Sequence, residues 1–312
     1  MSFDFSVVIP TFNRMDTLPE VLTAVEAQKF DAPFELVVVD DGSTDDTPAF
    51  LRDREFSVSA RLIHQDNAGP AAARNAGVSA AAGRRVAFLG DDTVPQAGWL
   101  AAHRAAHRRR GDGPELAVIG YTGWHPRMKL NPFLRYINDW GLQFGYRLID
   151  DPEQVPFNFF YTSNLSLARE LLLAEPFDLS FPYAAWEDIE TSYRLSERHG
   201  MRLVYAPEAV VAHDHPTDLE RFAARQEKSG YSAVVFHRLH PELGAFLGVG
   251  PEGPPPLPAP GPQRRRELLA RALQNLPVKL PGLWESTLRF HYIRGLHRAW
   301  QDLQTANEEE LT

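Results

Sequence analysis

Two apolar, strand-like runs in this chain each end in a pair of aspartates followed by turn residues: residues 36–39 lead into Asp40-Asp41 (VVVDDGSTD), and residues 86–89 into Gly90-Asp91-Asp92 (VAFLGDDTVP). Such runs read as buried parallel strands, so the carboxylates that follow emerge together at the carboxyl edge of a sheet. Open α/β sheets bind their ligands at that edge. Adjacent like charges are costly unless a cation, a donor-rich ligand or solvent compensates them. Two pairs on one edge therefore point to a nucleotide and a metal.

The flanking pattern agrees with a doubly wound α/β sheet. Residues 6–10, 34–39, 58–64 and 86–89 read as strands, alternating with helices over 19–29, 46–53 and 69–82. The next hundred residues are less regular. Strands are expected at 116–120, 161–168 and 203–212, and helices at 186–197 and 218–239. The aromatic-rich stretch 124–160, with Trp140, Phe144, Tyr146, Phe157, Phe159 and Phe160, reads as core rather than as sugar-binding faces. A proline-rich stretch, PEGPPPLPAPGP at 251–262, is too rich in proline for helix or sheet and reads as a stiff linker. This predicts a domain over 1–250 with halves 1–110 and 111–250, the linker 251–262, and a helical extension over 263–312. Helices are expected there at 264–274 and 283–310, with Leu268, Leu269, Ala272 and Leu273 as one apolar stripe. That stripe is expected to pack on its own domain or on a second copy as a homodimer, with peripheral docking on a membrane as the lesser alternative.

Composition removes several function classes. The chain has 312 residues, 44% hydrophobic and 23% charged, enough for one large core and nothing that marks disorder. A formal charge of −9 argues against nucleic-acid binding, which rests on clustered Lys and Arg. The basic runs 103–110 and 264–266 read as solvated helix faces, with an anionic lipid, glycan or partner surface as the lesser alternative. No cysteine is present, so disulfide and thiol chemistry are excluded. The start MSFDFSVVIP has neither a basic nor a long apolar leader segment, and no run reaches the roughly 20 apolar residues of a membrane span. A cytoplasmic protein is expected.

Neither a GxxxxGK[ST] phosphate loop nor a GxGxxG fingerprint occurs, which removes the ordinary dinucleotide-binding reading. What does occur is an ordered series: SVVIPTFNR, VVVDDGSTDDT, NAGPAAARNAG, FLGDDTVPQAGWL and, far downstream, WEDIETSYRL. In that order, across about residues 4–240, the series closely resembles the family 2 glycosyltransferases of the GT-A fold. The resemblance implies a mostly parallel, doubly wound sheet with helices on both faces, followed here by a C-terminal helical appendage. It also implies an inverting transfer of sugar from a nucleotide-diphosphate donor, expected to be UDP-linked, to a hydroxyl of a glycan, lipid-linked saccharide or small acceptor.

Site roles follow from the same resemblance. Pro10 and Thr11 are expected to meet the base or ribose through main-chain atoms, and Asp41 to accept from the uracil N–H. Asp40 is either a second nucleotide contact or the acid that fixes the turn at Gly42. Arg74 is expected to balance phosphates or to pair with Asp41. The second pair lacks the first of the three acids frequent in this family, leaving Asp91 near the ribose and Asp92 as the ligand of Mn²⁺ or Mg²⁺. His213 is expected to complete the metal site, with His215 as its competitor. Asp188 is expected to be the base that deprotonates the acceptor, supported by Glu187 and by Trp186 as an aromatic face. Asn164, with Ser166, is expected to line the acceptor pocket.

Three other classes compete. A nucleotidyl-transferring enzyme also uses carboxylates and Mg²⁺ at a sheet edge, but needs a basic triphosphate signature where SVVIPTFNR offers only Arg14. A catalytically silent sugar-nucleotide binder shares the motifs and differs only in turnover. A receiver-like phospho-acceptor module is about a third of this length and leaves the EDIE and HDH segments without purpose.

Overall fold

The computed structural model describes residues 3–139, 142–276 and 281–310. Trp140 of the aromatic stretch lies outside the described residues. Two compact units are formed, the first from Met1–Met128, Phe144–Leu179 and Glu187–His215, the second from Lys129–Gln143, Ser180–Trp186 and Pro216–Thr312.

The first unit holds the sheet. Its strands are β1 (Phe3–Thr11), β2 (Phe34–Asp40), β3 (Ser59–His64), β4 (Gly83–Leu89), β5 (Thr93–Pro95), β6 (Leu116–Trp124), β7 (Asn164–Ala168) and β8 (Arg202–His213). They lie in the order β3-β2-β1-β4-β7-β6-β8-β5. The pairings β1/β2, β1/β4, β2/β3 and β6/β8 are parallel, whereas β7 runs antiparallel to both neighbours and β5 antiparallel to β8. The sheet is therefore mixed, with parallel pairs in the majority.

Alternation along the strands explains why they read as continuous apolar runs. Val37 and Val39 belong to one core layer with Val8, Val86 and Phe88, while Leu36 and Val38 belong to the other with Val7, Ile9 and Leu89. Both faces must be covered, and helices do so. α1 (Leu18–Glu26), α2 (Thr47–Asp53) and α4 (Trp99–Arg109) contribute Leu22, Leu51 and Leu100 to the second layer. α3 (Pro70–Ala80), α6 (Arg169–Ala174) and α7 (Glu187–His199) contribute Ala73, Leu171 and Leu195 to the first. The basic run 103–110 is not simply a solvated face: His103 and His107 are fully buried, because α4 packs them against β7.

The second unit is helical, with α5 (Pro132–Asp139), α8 (Leu219–Leu239), α9 (Gly244–Leu247), α10 (Pro260–Leu273) and α11 (Pro281–Glu310). α8 belongs here, so the division falls before residue 216 and not at the proline-rich stretch as the sequence suggested. The cause is the close crossing of α8 and α11 through Gly230 and Gly295. A Cβ at either would come within 2.0 Å of the facing main-chain carbonyl, of Tyr292 and Glu227 respectively. None of the described helices is long and apolar enough to cross a membrane.

Candidate active site

Three loops meet at the carboxyl edge of the first unit's sheet. The residues after β1 are stitched to the first acid loop: Asn13 Oδ1 accepts from the Thr44 and Asp45 amides (2.7 and 3.2 Å), and the Arg14 amide donates to Thr47 Oγ1 (3.2 Å). They also reach the second, where Thr17 Oγ1 donates to the Asp91 carbonyl (2.9 Å). This leaves the Arg14 guanidinium against both acids, Nε 3.3 Å from Asp91 Oδ1 and Nη2 3.7 Å from Asp92 Oδ2. Arg14 had entered the sequence reading only as an argument against triphosphate binding. Its position just past β1 was the available signal.

The first acid pair is occupied with its own loop. Ser43 N–H donates to Asp40 Oδ1 (3.0 Å) and His64 Nδ1 lies 2.8 Å from Oδ2, so of the two roles expected for Asp40 the structure displays the turn-fixing one. Asp41 accepts from Gln65 Nε2 (2.7 Å), Ala68 N–H (3.0 Å) and Gly69 N–H (2.8 Å). These donors leave a carboxylate with room for one more. Pro10 and Thr11 run beside the pair, with Thr11 in register with Asp40 and its carbonyl accepting from Asp41 N–H (2.9 Å).

The second pair is assembled by an element that the sequence did not reveal. The short strand β5 pairs antiparallel with β8, aligning Thr93 with His213, and Asp214 N–H donates to the Asp92 carbonyl (2.8 Å). Extended chain sends alternate side chains to opposite sides. His213 and His215 therefore turn together toward Asp92 Oδ2, Nε2 of the first at 3.4 Å and Nδ1 of the second at 3.1 Å, with their rings parallel to within 1°. Asp214 turns away and pairs with Arg127. Phe144 and Trp124 pack on the His213 ring, at 5.3 and 5.7 Å, which gives part of the aromatic stretch its use as packing behind the histidine.

Ligand atoms of Asp92, His213 and His215 lie within 4.8 Å of one another. One carboxylate oxygen and two imidazole nitrogens at such separations fit a divalent cation. Both histidines converge on the acid, so they are partners in this geometry rather than competitors. Burial tends to raise the Asp92 pKa, but the neighbouring His213, His215 and Arg14 prevail and hold it well below the usual carboxylate range. Asp91 moves the other way, to about 7, because burial and the Asp92 charge outweigh Arg14.

The acid pair at the start of α7 is divided. Glu187 is buried and takes Arg74 Nη1 at 2.7 Å, so Arg74 pairs with Glu187 and not with Asp41. Asp188 accepts from Thr162 N–H (3.5 Å) and from its own helix at Ile189 N–H (2.9 Å). Burial first, then the Glu187 charge, raises its pKa to about 7 against the pull of Arg74. The turn that holds Asp188 also touches the second acid loop: the adjacent Ser163 carbonyl accepts from Gly90 N–H (3.2 Å) and Thr93 Oγ1 (3.3 Å). Residues 162–163 are thus gripped on one side by Asp188 and on the other by the loop carrying Asp91 and Asp92.

Two expectations are corrected. Asn164 does not line an acceptor pocket; it is fully buried, its Oδ1 takes Trp99 Nε1 (2.7 Å) and faces His103 Nε2 (2.9 Å), and its Nδ2 donates to the Tyr121 and Ala209 carbonyls (3.1 and 2.8 Å). Ser166 is equally buried, with His103 and His107 each 2.9 Å from its hydroxyl. Gly120 makes the seat for Asn164, since a Cβ there would fall 2.4 Å from Nδ2. Nor does Trp186 offer an open face: its Nε1 donates to the Ser229 carbonyl (2.9 Å) and its ring packs on Phe236 and Phe246 in the second unit.

The model for glycosyl transferase family 2 matches residues 6–166, more than half of the chain. The chain belongs to this family. It is 31% identical over 258 residues to the pre-mycofactocin glycosyltransferase of Mycobacterium tuberculosis (strain ATCC 25618 / H37Rv), covering 79% of this chain and 50% of the relative. To the validoxylamine A glucosyltransferase of Streptomyces hygroscopicus subsp. limoneus it is 31% identical over 269 residues, 76% of this chain and 57% of the relative. The chain thus spans about half the length of the curated relatives it matches. Among solved structures, the mannosyltransferase PcManGT from Pyrobaculum calidifontis, in complex with GDP-Man and Mn²⁺, has a TM-score of 0.60 at 18% identity, over 97% of this chain and 88% of that one. S. aureus TarS 1-349 in complex with UDP has a TM-score of 0.52 at 16% identity, over 97% and 91%. These likenesses show the fold: the family 2 chain has the GT-A architecture.

Proposed function

We propose that this family 2 chain is a metal-dependent, inverting glycosyltransferase that moves a sugar from a nucleoside-diphosphate donor to a hydroxyl acceptor. The observation that carries the reading is the turn 162–163, which ties Asp188, a carboxylate that titrates near neutrality, to the loop bearing Asp92 and its two histidines. A base and a cation site served by one turn suit displacement at an anomeric carbon, where the acceptor loses its proton on the face opposite the departing diphosphate. A divalent cation there supplies charge neutralisation on the leaving group. Asp92, His213 and His215 are its proposed holders, and the two imidazoles favour Mn²⁺ over Mg²⁺, which prefers oxygen ligands.

The chain's own groups account for the rest. Asp188 accepts the acceptor's proton, and its raised pKa makes it a competent base near neutral pH. Arg74 holds Glu187, whose charge adds to burial in raising that pKa. Arg14 stands beside the cation ligands as a fixed positive charge for the diphosphate. Asp41, with its remaining acceptor site, is the proposed contact to the ring N–H of uracil, and UDP the proposed carrier. The acceptor is a hydroxyl on a glycan, lipid-linked saccharide or small molecule.

Asp188→Asn separates this reading from that of a silent binder. Turnover is expected to fall by about a thousandfold or more, while the UDP- and Mn²⁺-dependent rise in melting temperature is retained. No turnover by the parent protein across a broad donor panel, with binding intact, rejects the enzyme. A thermal response to GDP or TDP but not UDP rejects the uracil role of Asp41.

A further inference from the structure

The outward face of α10 is apolar where a helix facing solvent is ordinarily polar. Its inner face carries the polar anchors. Gln263 is buried and donates to the Ser286 carbonyl (3.1 Å), Glu267 pairs with Arg271 (2.7 Å) and His291 (3.5 Å), and Arg271 reaches Glu220 (2.8 Å). Ala270, also on this side, is fully buried. At about 100° per residue, the opposite side presents Leu268, Leu269 and Ala272, with Leu276 just past the helix end. Leu268 is 61% exposed and Leu269 52%. Leu268, Leu269 and Ala272 of the stripe thus face away from their own domain, which leaves a second copy or a membrane, of the expected partners, to cover them. Arg265 stands at the amino-terminal end of the same stripe, with Arg264 and Arg266 on its flanks, all exposed and without an ion pair among the described residues.

We infer that this face docks on the surface of an anionic lipid bilayer. Leucines on one stripe can enter the boundary between headgroups and acyl chains, while guanidiniums beside them remain with lipid phosphates. The charge points to lipid rather than to a second copy of this chain. The chain carries a net charge of −9, so attraction to an anionic surface must be local, and an unpaired arginine triplet supplies it. The single acid of α10 is Glu267, already held by Arg271 and His291, so a contact of this helix with its own copy offers those arginines no free carboxylate on the helix.

The test is co-sedimentation of the full chain with vesicles of phosphatidylcholine alone and of phosphatidylcholine mixed equally with phosphatidylglycerol. Binding is expected only to the anionic vesicles and is expected to weaken with salt. Each basic residue near such a surface strengthens attachment roughly five-fold, so Arg264→Gln/Arg265→Gln/Arg266→Gln should weaken it about a hundredfold. Leu268→Gln/Leu269→Gln should weaken it roughly tenfold with an unchanged melting temperature, because these side chains are already in solvent. No sedimentation of the parent with anionic vesicles overturns the proposal, as does equal binding to both vesicle types. A dimer in solution that the leucine variant dissolves overturns it in favour of a second copy.

Discussion

Asp40-Asp41 and Asp91-Asp92 both follow a buried parallel strand, yet their carboxylates are compensated by different means. The first pair is met mainly by hydrogen bonds of its own loop: Ser43, Ala68 and Gly69 amides, the Gln65 side chain and His64. The second is met by side chains that carry or can carry charge, Arg14, His213 and His215, with Asp91 pushed toward its neutral form. Hydrogen bonds from a loop are spent on shape, and a ligand finds one acceptor site left. Charges that converge from separate elements are there to be rearranged, and a cation can take their place. On the proposed reading, one sequence pattern serves once mainly to hold a loop, with one acceptor site of Asp41 left for a nucleotide, and once to hold a cation.

The strongest way to break this contrast is Asp92→Asn. It keeps the shape and removes the charge on which both histidines converge. Turnover should fall by about a hundredfold or more and the Mn²⁺-dependent thermal response should disappear. The metal-free protein should also melt lower, since Arg14, His213 and His215 lose the charge they face. If the thermal response to Mn²⁺ survives, the second pair is a latch like the first.

Asp41→Asn should differ in its metal response. Two main-chain N–H groups and an amide lose a charged acceptor, costing about 1–3 kcal/mol, or several degrees of melting temperature in a chain of this size. The Mn²⁺ response should persist. An unchanged melting temperature would mean that the loop 65–69 does not depend on Asp41, and the latch reading would fail.

What could be read in advance follows this same division. The strands around both acid pairs were legible because burial on two faces leaves an apolar run, and α1 and α3 because their apolar spacing or small residues mark one packed side. Asp92, His213 and Asp188 were singled out because their motifs resemble the family's, and the geometry sets His213 against Asp92. The missing parts act through register. β5 is three residues long and shows no periodicity, yet its pairing with β8 brings His213 and His215 to Asp92. Asn164 was given to the acceptor pocket by the family resemblance alone; its four partners come from α4, β6 and β8, which no local pattern predicts. The stripe of α10 was legible, but which of its expected partners covers it was not, since periodicity finds a stripe without saying which way it points.

Glu187-Asp188 extends the comparison to a third pair and offers the finest test. Here one acid is neutralised by Arg74 and the other has its pKa raised to about 7 by burial and by the Glu187 charge. A base must be ionised to act, so turnover should rise with pH through about 7 and level off above it. The same shift means that the folded protein holds this proton more tightly than the unfolded chain does. Ionising Asp188 therefore costs stability, which is present at acid pH and lost as pH climbs through about 7, and Asp188→Asn should melt higher than the parent at alkaline pH. Glu187→Gln removes the like charge and leaves the opposite charge of Arg74 beside Asp188. The rising limb of the rate profile should move to lower pH, while Arg74→Met should move it higher. A limb that stays fixed in both variants would mean that burial alone sets the pKa of Asp188, and that Glu187, like Asp40, serves only to hold the fold.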